Sequence, residues 1–257
     1  MKIQYASDLH LEFMQNWHYL KSHPLDINGD ILVLAGDIAQ LKNKYLQKLG
    51  FFSWVADHFQ QTLIVPGNHE FYNGFDAAER QVDFEYRLSG NVAYYNGRSI
   101  KFDGFEFFLT TLWSYIPESH ISYVCQNLND FRNIRYNGHW LKAEEYNEMH
   151  RQSLAWLKQA LLQSTSNRKI VVTHHVPTLQ LCQPAHIGKS MTSAFCTDLH
   201  DFIEGSGVDY WICGHTHSNM PPVCIGKTMV VHNMLGYVES ETEQAAFDPG
   251  AFLSVSD

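Results

Sequence analysis

Short apolar runs alternate with longer amphipathic stretches along most of the chain. Ile3 to Ala6, Ile31 to Ala35, Leu63 to Val65, Phe105 to Leu109, Ile170 to Thr173 and Tyr210 to Cys213 are short, mostly apolar segments bounded by polar or turn residues. That pattern predicts strands buried on both faces. Helices are expected between them over 43–60, 76–88, 142–163 and 196–204. In the third, Tyr146, Met149, Leu154, Leu157 and Leu161 recur at helical spacing, and Glu144, Glu145 and Glu148 occupy its first turns, where acidic side chains suit the helix dipole. Strand and helix in alternation predict an α/β fold.

Elsewhere strand follows strand directly. Val92 to Tyr95, Ile100 to Phe102 and Phe105 to Leu109 are separated by Asn96-Gly97 and Asp103-Gly104, and Val223 to Ile225 is joined to Thr228 to His232 through Gly226. These turn signals predict antiparallel hairpins. No repeat, low-complexity linker or composition break divides the chain, so one two-sheet domain over 1–257 is expected. The segment 113–140 shows no clear period yet holds Trp113, Tyr115, Tyr123, Phe131, Arg132, Arg135, Tyr136 and Trp140. It is expected to be an irregular segment, a candidate flap over an active site.

Composition narrows the function. The 18 Lys and Arg against 27 Asp and Glu leave a net charge of −9, and no stretch clusters basic residues, which disfavours binding to a nucleic-acid backbone. The five cysteines are scattered, with no C-x-x-C spacing, which suits reduced thiols in the cytoplasm better than a disulfide framework. Asp8 interrupts the first apolar run, so no signal peptide is expected. No apolar run approaches the ~20 residues that span a bilayer. The 15 histidines are compatible with metal binding.

Five polar clusters follow apolar strand runs, where α/β sheets place ligand sites. They are Asp8-Leu9-His10, Gly36-Asp37, Gly67-Asn68-His69-Glu70, His174-His175 and Gly214-His215-Thr216-His217. Any one alone is a short motif of little weight; five in order, each at a strand end, are informative. The donors are carboxylate, amide and imidazole without thiolate, which suits Mn, Fe, Co, Ni or Zn, Mn or Fe above the others, and argues against a structural zinc or a calcium cage. Eight or so donors exceed one ion's needs, so two divalent ions are expected, a device for hydrolysing phosphoesters.

In these motifs the sequence resembles the calcineurin-like metallophosphoesterase superfamily, whose signature is D-x-H, G-D, G-N-H-E/D, a later His and G-H-x-H. The resemblance spans Asp8 to His217 and implies an αββα sandwich of two mixed sheets around a binuclear centre. It implies that Asp8, His10, Asp37 and His217 hold one ion, that Asp37, Asn68, His174 and His215 hold the other, and that Asp37 bridges them. It places the ligand at His174 rather than His175, which is left to face substrate, support a neighbour or do neither. His69, adjacent to a ligand, is assigned to stabilising or protonating the leaving oxygen, and Glu70 to orienting a neighbour.

Departures from the signature narrow the choice within the superfamily. The Arg residues of protein Ser/Thr phosphatases and dinucleotide tetraphosphatases are absent around Gly36-Asp37-Ile38-Ala39-Gln40 and Pro66-Gly67. Gln40 stands where purple acid phosphatases carry a tyrosine ligand. What remains is a hydrolase of a small soluble phosphodiester or phosphomonoester. Asn129, Asp130, Arg132 and Arg135 are candidate phosphate contacts, as are Gln180, Gln183, His186 and Lys189 within 178–195. A nuclease of the same superfamily is the alternative, and a non-catalytic scaffold a weaker one, since every donor position is occupied. Oligomeric state is left open.

Overall fold

The computed structural model describes residues 1–43, 46–239 and 246–254. The first part of the chain forms β1 (Lys2–Ala6), α1 (Met14–Ser22), β2 (Ile31–Leu34), α2 (Gly50–His58), β3 (Gln61–Ile64), β4 (Phe84–Arg87), β5 (Val92–Asn96), β6 (Arg98–Phe102) and β7 (Phe105–Thr110). The segment after β7 carries α3 (Glu118–Asn127), α4 (Asp130–Asn133) and a hairpin of β8 (Arg135–Tyr136) and β9 (His139–Trp140). There follow α5 (Ala143–Gln163), β10 (Lys169–Thr173), α6 (His200–Gly205), β11 (Tyr210–Cys213), β12 (Val223–Ile225), β13 (Thr228–His232) and β14 (Phe252–Ser254).

Two six-stranded mixed sheets result, ordered β14-β1-β2-β3-β5-β4 and β12-β13-β11-β10-β7-β6. In each, four central strands run parallel and one antiparallel strand closes either edge. The apolar runs lack alternation because both faces of the central strands are covered. Ile31 and Val33 of β2 join Leu63, Phe107, Leu109, Ile170, Val172 and Ile212 in the core between the sheets. Leu32 and Leu34 face the other way, against Leu20 of α1 and Phe51, Phe52 and Val55 of α2. On the far side Val171 and Trp211 pack beneath Leu157 and Leu161 of α5 and Ile203 of α6. This is the four-layer αββα sandwich.

Several expectations need correction. Residues 76–88 are not helical: Phe84, Glu85, Tyr86 and Arg87 alternate between half-buried and exposed positions and pair with β5 as an edge strand, so period two prevails over the weaker helical pattern. The helix expected over 43–60 is a short 3-10 turn at Leu46–Lys48 followed by α2, and positions 44 and 45 lie outside the described residues. The helix expected over 196–204 begins only at His200. Segment 113–140 is not irregular; its first helix escapes a periodicity search because only Val124 in it is fully buried. The helix α5 starts where expected, with Glu145 Oε2 accepting the N–H of Lys142, the residue before the helix, at 2.9 Å, one half of a capping box. Among the described residues no helix is long and apolar enough to cross a membrane.

Candidate metal centre

Parallel strands in both sheets deliver their C-terminal ends to one rim, and the five clusters meet there. Five donors lie in left-handed backbone: Asp8 at φ 55°, His10 at 48°, Asp37 at 55°, His215 at 80° and His217 at 49°. The strained turns are pinned by main-chain bonds between the first two loops, Asp8 N–H to Gly36 O and His10 N–H to Asp37 O, both 2.9 Å. Fully buried Glu70 organises the turns from beneath: its carboxylate accepts the N–H groups of Asp37, Ile38, Ala39 and Gly67 at 2.7 to 3.1 Å. Burial and the charge of Asp37 nevertheless push Glu70 up to about 8. Side-chain space forces the glycines next to the donors. At Gly67 a methyl group would strike Asp37 Oδ1 and come within 2.7 Å of its backbone nitrogen, and at Gly36, φ +90°, it would strike the His174 ring.

Among the described residues three groups of donor atoms have their members within 4.8 Å of one another: Asp8, His10, Asp37 and His217; Asp37, His174 and His215; and His10, Glu12 and His69. Asp37 belongs to the first two. Asn68 adjoins the second group, its Oδ1 lying 3.1 Å from His174 Nε2. His10 Nε2 and His217 Nε2 face each other at 3.0 Å, as do His174 Nε2 and His215 Nδ1.

The sequence pattern of the calcineurin-like phosphoesterases matches residues 1–219. The chain belongs to that family. A relative from Acanthamoeba polyphaga mimivirus, an uncharacterized protein, is 28% identical over 98% of this chain and 96% of its own length. Among solved structures, a phosphopantetheinyl hydrolase from Mycobacterium tuberculosis superposes with a TM-score of 0.67 at 15% identity, covering 93% of this chain and 90% of that one. The protein TT1561 of Thermus thermophilus superposes at 0.51 with 14% identity, over 91% and 88% of the two chains. At such identities the likeness is one of fold.

The donor chemistry of this phosphoesterase fits two cations. His10 Nδ1 is bonded to Glu12 at 3.0 Å and His174 Nδ1 to the Ala35 carbonyl at 2.9 Å. Both partners are acceptors, so each Nδ1 carries a hydrogen and each Nε2 points its remaining valence inward. Burial opposes charge on His174, but Asp37 and Asp8 outweigh it and lift the ring to about 9. His174 Nε2 lies 3.1 Å from Asn68 Oδ1 and 3.4 Å from Asp37 Oδ2, so a proton on it would stand where a cation would. Asp37 likewise ionises despite burial because His174, His69 and His10 hold it well below the usual range. Burial, with His175 and His174 adding to it, holds His215 well below its ordinary value; it stays neutral, and its buried Nε2 has no hydrogen-bond partner.

Glu12, which the motif analysis did not single out, joins the centre. One oxygen accepts from both His10 Nδ1 and His69 Nδ1, at 3.0 and 2.9 Å. Its position two residues after His10, on the same strand-end turn, was the available signal. His69 is held from two further sides: Asp37 Oδ1 accepts its backbone N–H at 2.8 Å, and its ring stacks on Tyr72 at 4.2 Å. Burial lowers the His69 pKa, but Asp37 and Glu12 raise it above the ordinary value overall.

Of the expected substrate contacts, Asn129 lines the pocket above the donors, whereas His175, Arg132 and Arg135 do not. His175 is fully buried behind the donors, its Nε2 3.1 Å from the Tyr146 hydroxyl and its ring 4.1 Å from that of His215. It supports His215 and does not face the pocket. Arg132 donates to the carbonyls of Gln126 and Leu128. Arg135 lies over the Trp140 ring and donates to Gly138 O. Local carbonyls and an aromatic face occupy both guanidinium groups, and neither lines the pocket of about 300 Å³ above the donors. Segment 113–140 reaches that pocket through Asn127, Leu128 and Asn129, and the 178–195 segment through Met191 and Phe195. Gln180 and Gln183 bond to His200 and Ser218 instead.

Proposed function

We propose that this calcineurin-like phosphoesterase hydrolyses a small soluble phosphodiester or phosphomonoester at a centre of two divalent ions, manganese or iron above the others. Asp8, His10, Asp37 and His217 would hold one ion and Asp37, Asn68, His174 and His215 the other. The observation that carries this reading is the pair of donor groups sharing Asp37, with His69 beside them. Bound there, two such ions supply Lewis acidity and a water acidic enough to give hydroxide near neutral pH.

The chain's own residues do the rest. Asp37 is the one shared donor whose charge offsets two cations. Glu12 accepts from His69 Nδ1, which leaves His69 Nε2 to hold the proton that the departing oxygen needs. Tyr72 stacks on that ring and limits its rotation. The pocket's volume, about 300 Å³, is that of a small-molecule site, and the net charge of −9 disfavours a nuclease. The free cysteines suit the cytoplasm, and we place the protein there as one domain.

Hydrolysis of bis(p-nitrophenyl) phosphate and p-nitrophenyl phosphate, after chelation and then with Mn²⁺ restored, tests the proposal. Metal-restored turnover that disappears in Asp37→Ala is the expected result. No turnover of either ester by fully loaded protein would overturn it.

A further inference from the structure

Asp130 is a fully buried carboxylate on the four-residue helix α4, far in sequence from every donor. Burying a carboxylate is expensive unless it is well partnered. It caps no helix: α4 has no side-chain cap bond. Its Oδ1 accepts from Asn68 Nδ2 at 2.9 Å and from the Tyr72 hydroxyl at 2.7 Å, while Oδ2 is buried without a partner. Oδ1, which already takes the Tyr72 hydroxyl hydrogen, is an acceptor here. Asn68 must therefore turn its NH₂ toward Asp130, which points its oxygen at His174 Nε2, 3.1 Å away. The reverse orientation would aim two N–H groups at the cation site.

We propose that Asp130 is the positioning residue for Asn68: it fixes the amide so that oxygen, not nitrogen, faces the second ion. The inference rests on the two-ion reading of the site. Tyr72 extends the arrangement, because the hydroxyl that donates to Asp130 belongs to the ring stacked on His69. Segment 113–140 thus acts on the centre from behind, through an acceptor, and not from above through its arginines.

Calorimetric titration of Mn²⁺ into chelated protein tests this independently of turnover. The parent chain takes up two ions; a parent that takes up fewer refutes the two-ion reading itself. Asp130→Leu weakens the second ion by about 10- to 100-fold, the range for losing a partner that orients a ligand. Asp130→Asn keeps an oxygen acceptor and stays within about threefold of the parent, by the same reasoning. In an Asn68→Ala background, Asp130→Leu costs nothing more, because the group it orients is gone. Parent-like affinity in Asp130→Leu, or an equal further loss in the Asn68→Ala background, overturns the proposal. Should Asp130→Leu not fold, Asn68→Asp and Asn68→Asp with Asp130→Asn replace it. The single variant sets oxygen against oxygen and binds the second ion at least about tenfold more weakly than the pair; equal affinities overturn the proposal.

Discussion

The strand-end loops and segment 113–140 both supply polar groups to the centre, but they are built on different principles. The loops are short, glycine-bearing and tied to one another through main chain, and their donors point into a common space. The segment folds around its own apolar cluster, with Trp113, Ile116, Val124, Leu128, Phe131 and Ile134 packed against Tyr146 and Met149 of α5. From that base it contributes one buried carboxylate and the rim of the pocket. Donor geometry is thus set by backbone conformation in the first region and by side-chain packing in the second. Damage to the loops should remove chemistry, whereas most damage to the segment should leave it intact.

The largest effect that sharpens this contrast is at His69. His69→Ala is expected to lower kcat by about 10²- to 10⁴-fold, the contribution of a positioned proton donor, with Mn²⁺ stoichiometry unchanged by calorimetry. Loss of an ion together with activity would make His69 a ligand and merge the two roles. Glu12→Ala comes next. It strips the acceptor from two imidazoles at once, and Mn²⁺ affinity should fall by about 10- to 100-fold; an unchanged isotherm would show that His10 needs no such support.

A smaller effect concerns the centre without its ions. His174 and His69 have folded values above the ordinary histidine value. The stability they contribute is fully present below about 6.5 and is lost as pH rises toward 9. Burial leaves His10, His175 and His215 with lowered values, so they destabilise only below about 6.5. Urea midpoints of chelated protein should therefore fall between pH 6.5 and 9, with buried Glu70 adding to the fall up to about 8, and metal-loaded protein should show a shallower decline because bound ions replace the histidine protons. A flat profile in chelator would contradict it. The smallest expected effect is that of Arg132→Ala and Arg135→Ala, each within about twofold in kcat/KM, as for surface positions away from a site. A tenfold rise in KM would return these arginines to the substrate and erase the distinction between the two regions.

The same contrast explains what could be read from sequence. Asp8, His10, Asp37, Asn68, His174, His215 and His217 stand out because each follows an apolar run and its chemistry is local to a few residues. The sandwich is legible for a similar reason, since continuous apolar strands need cover on both faces. The helix α1 is not, for its N-cap position is Phe13 and only Asn16 and Leu20 in it are buried. Nor is the job of Asp130: an aspartate among Asn129, Arg132 and Arg135 looks like a solvated phosphate contact until folding brings Asn68 beside it, 62 positions away. His175 misleads because adjacency in sequence to His174 does not decide which way its ring turns.

Five of the seven donors occupy a backbone region that asparagine, aspartate and histidine enter several-fold more readily than other side chains. The residue types that bind cations are here also the types that tolerate these turns. Replacement of Asp8 or Asp37 by valine would therefore deform the loop as well as delete a candidate ligand, and a saturation scan would score the two losses as one. Asparagine at those positions keeps the turn at ease while removing the charge and one oxygen acceptor, which makes it a cleaner probe of the centre than valine.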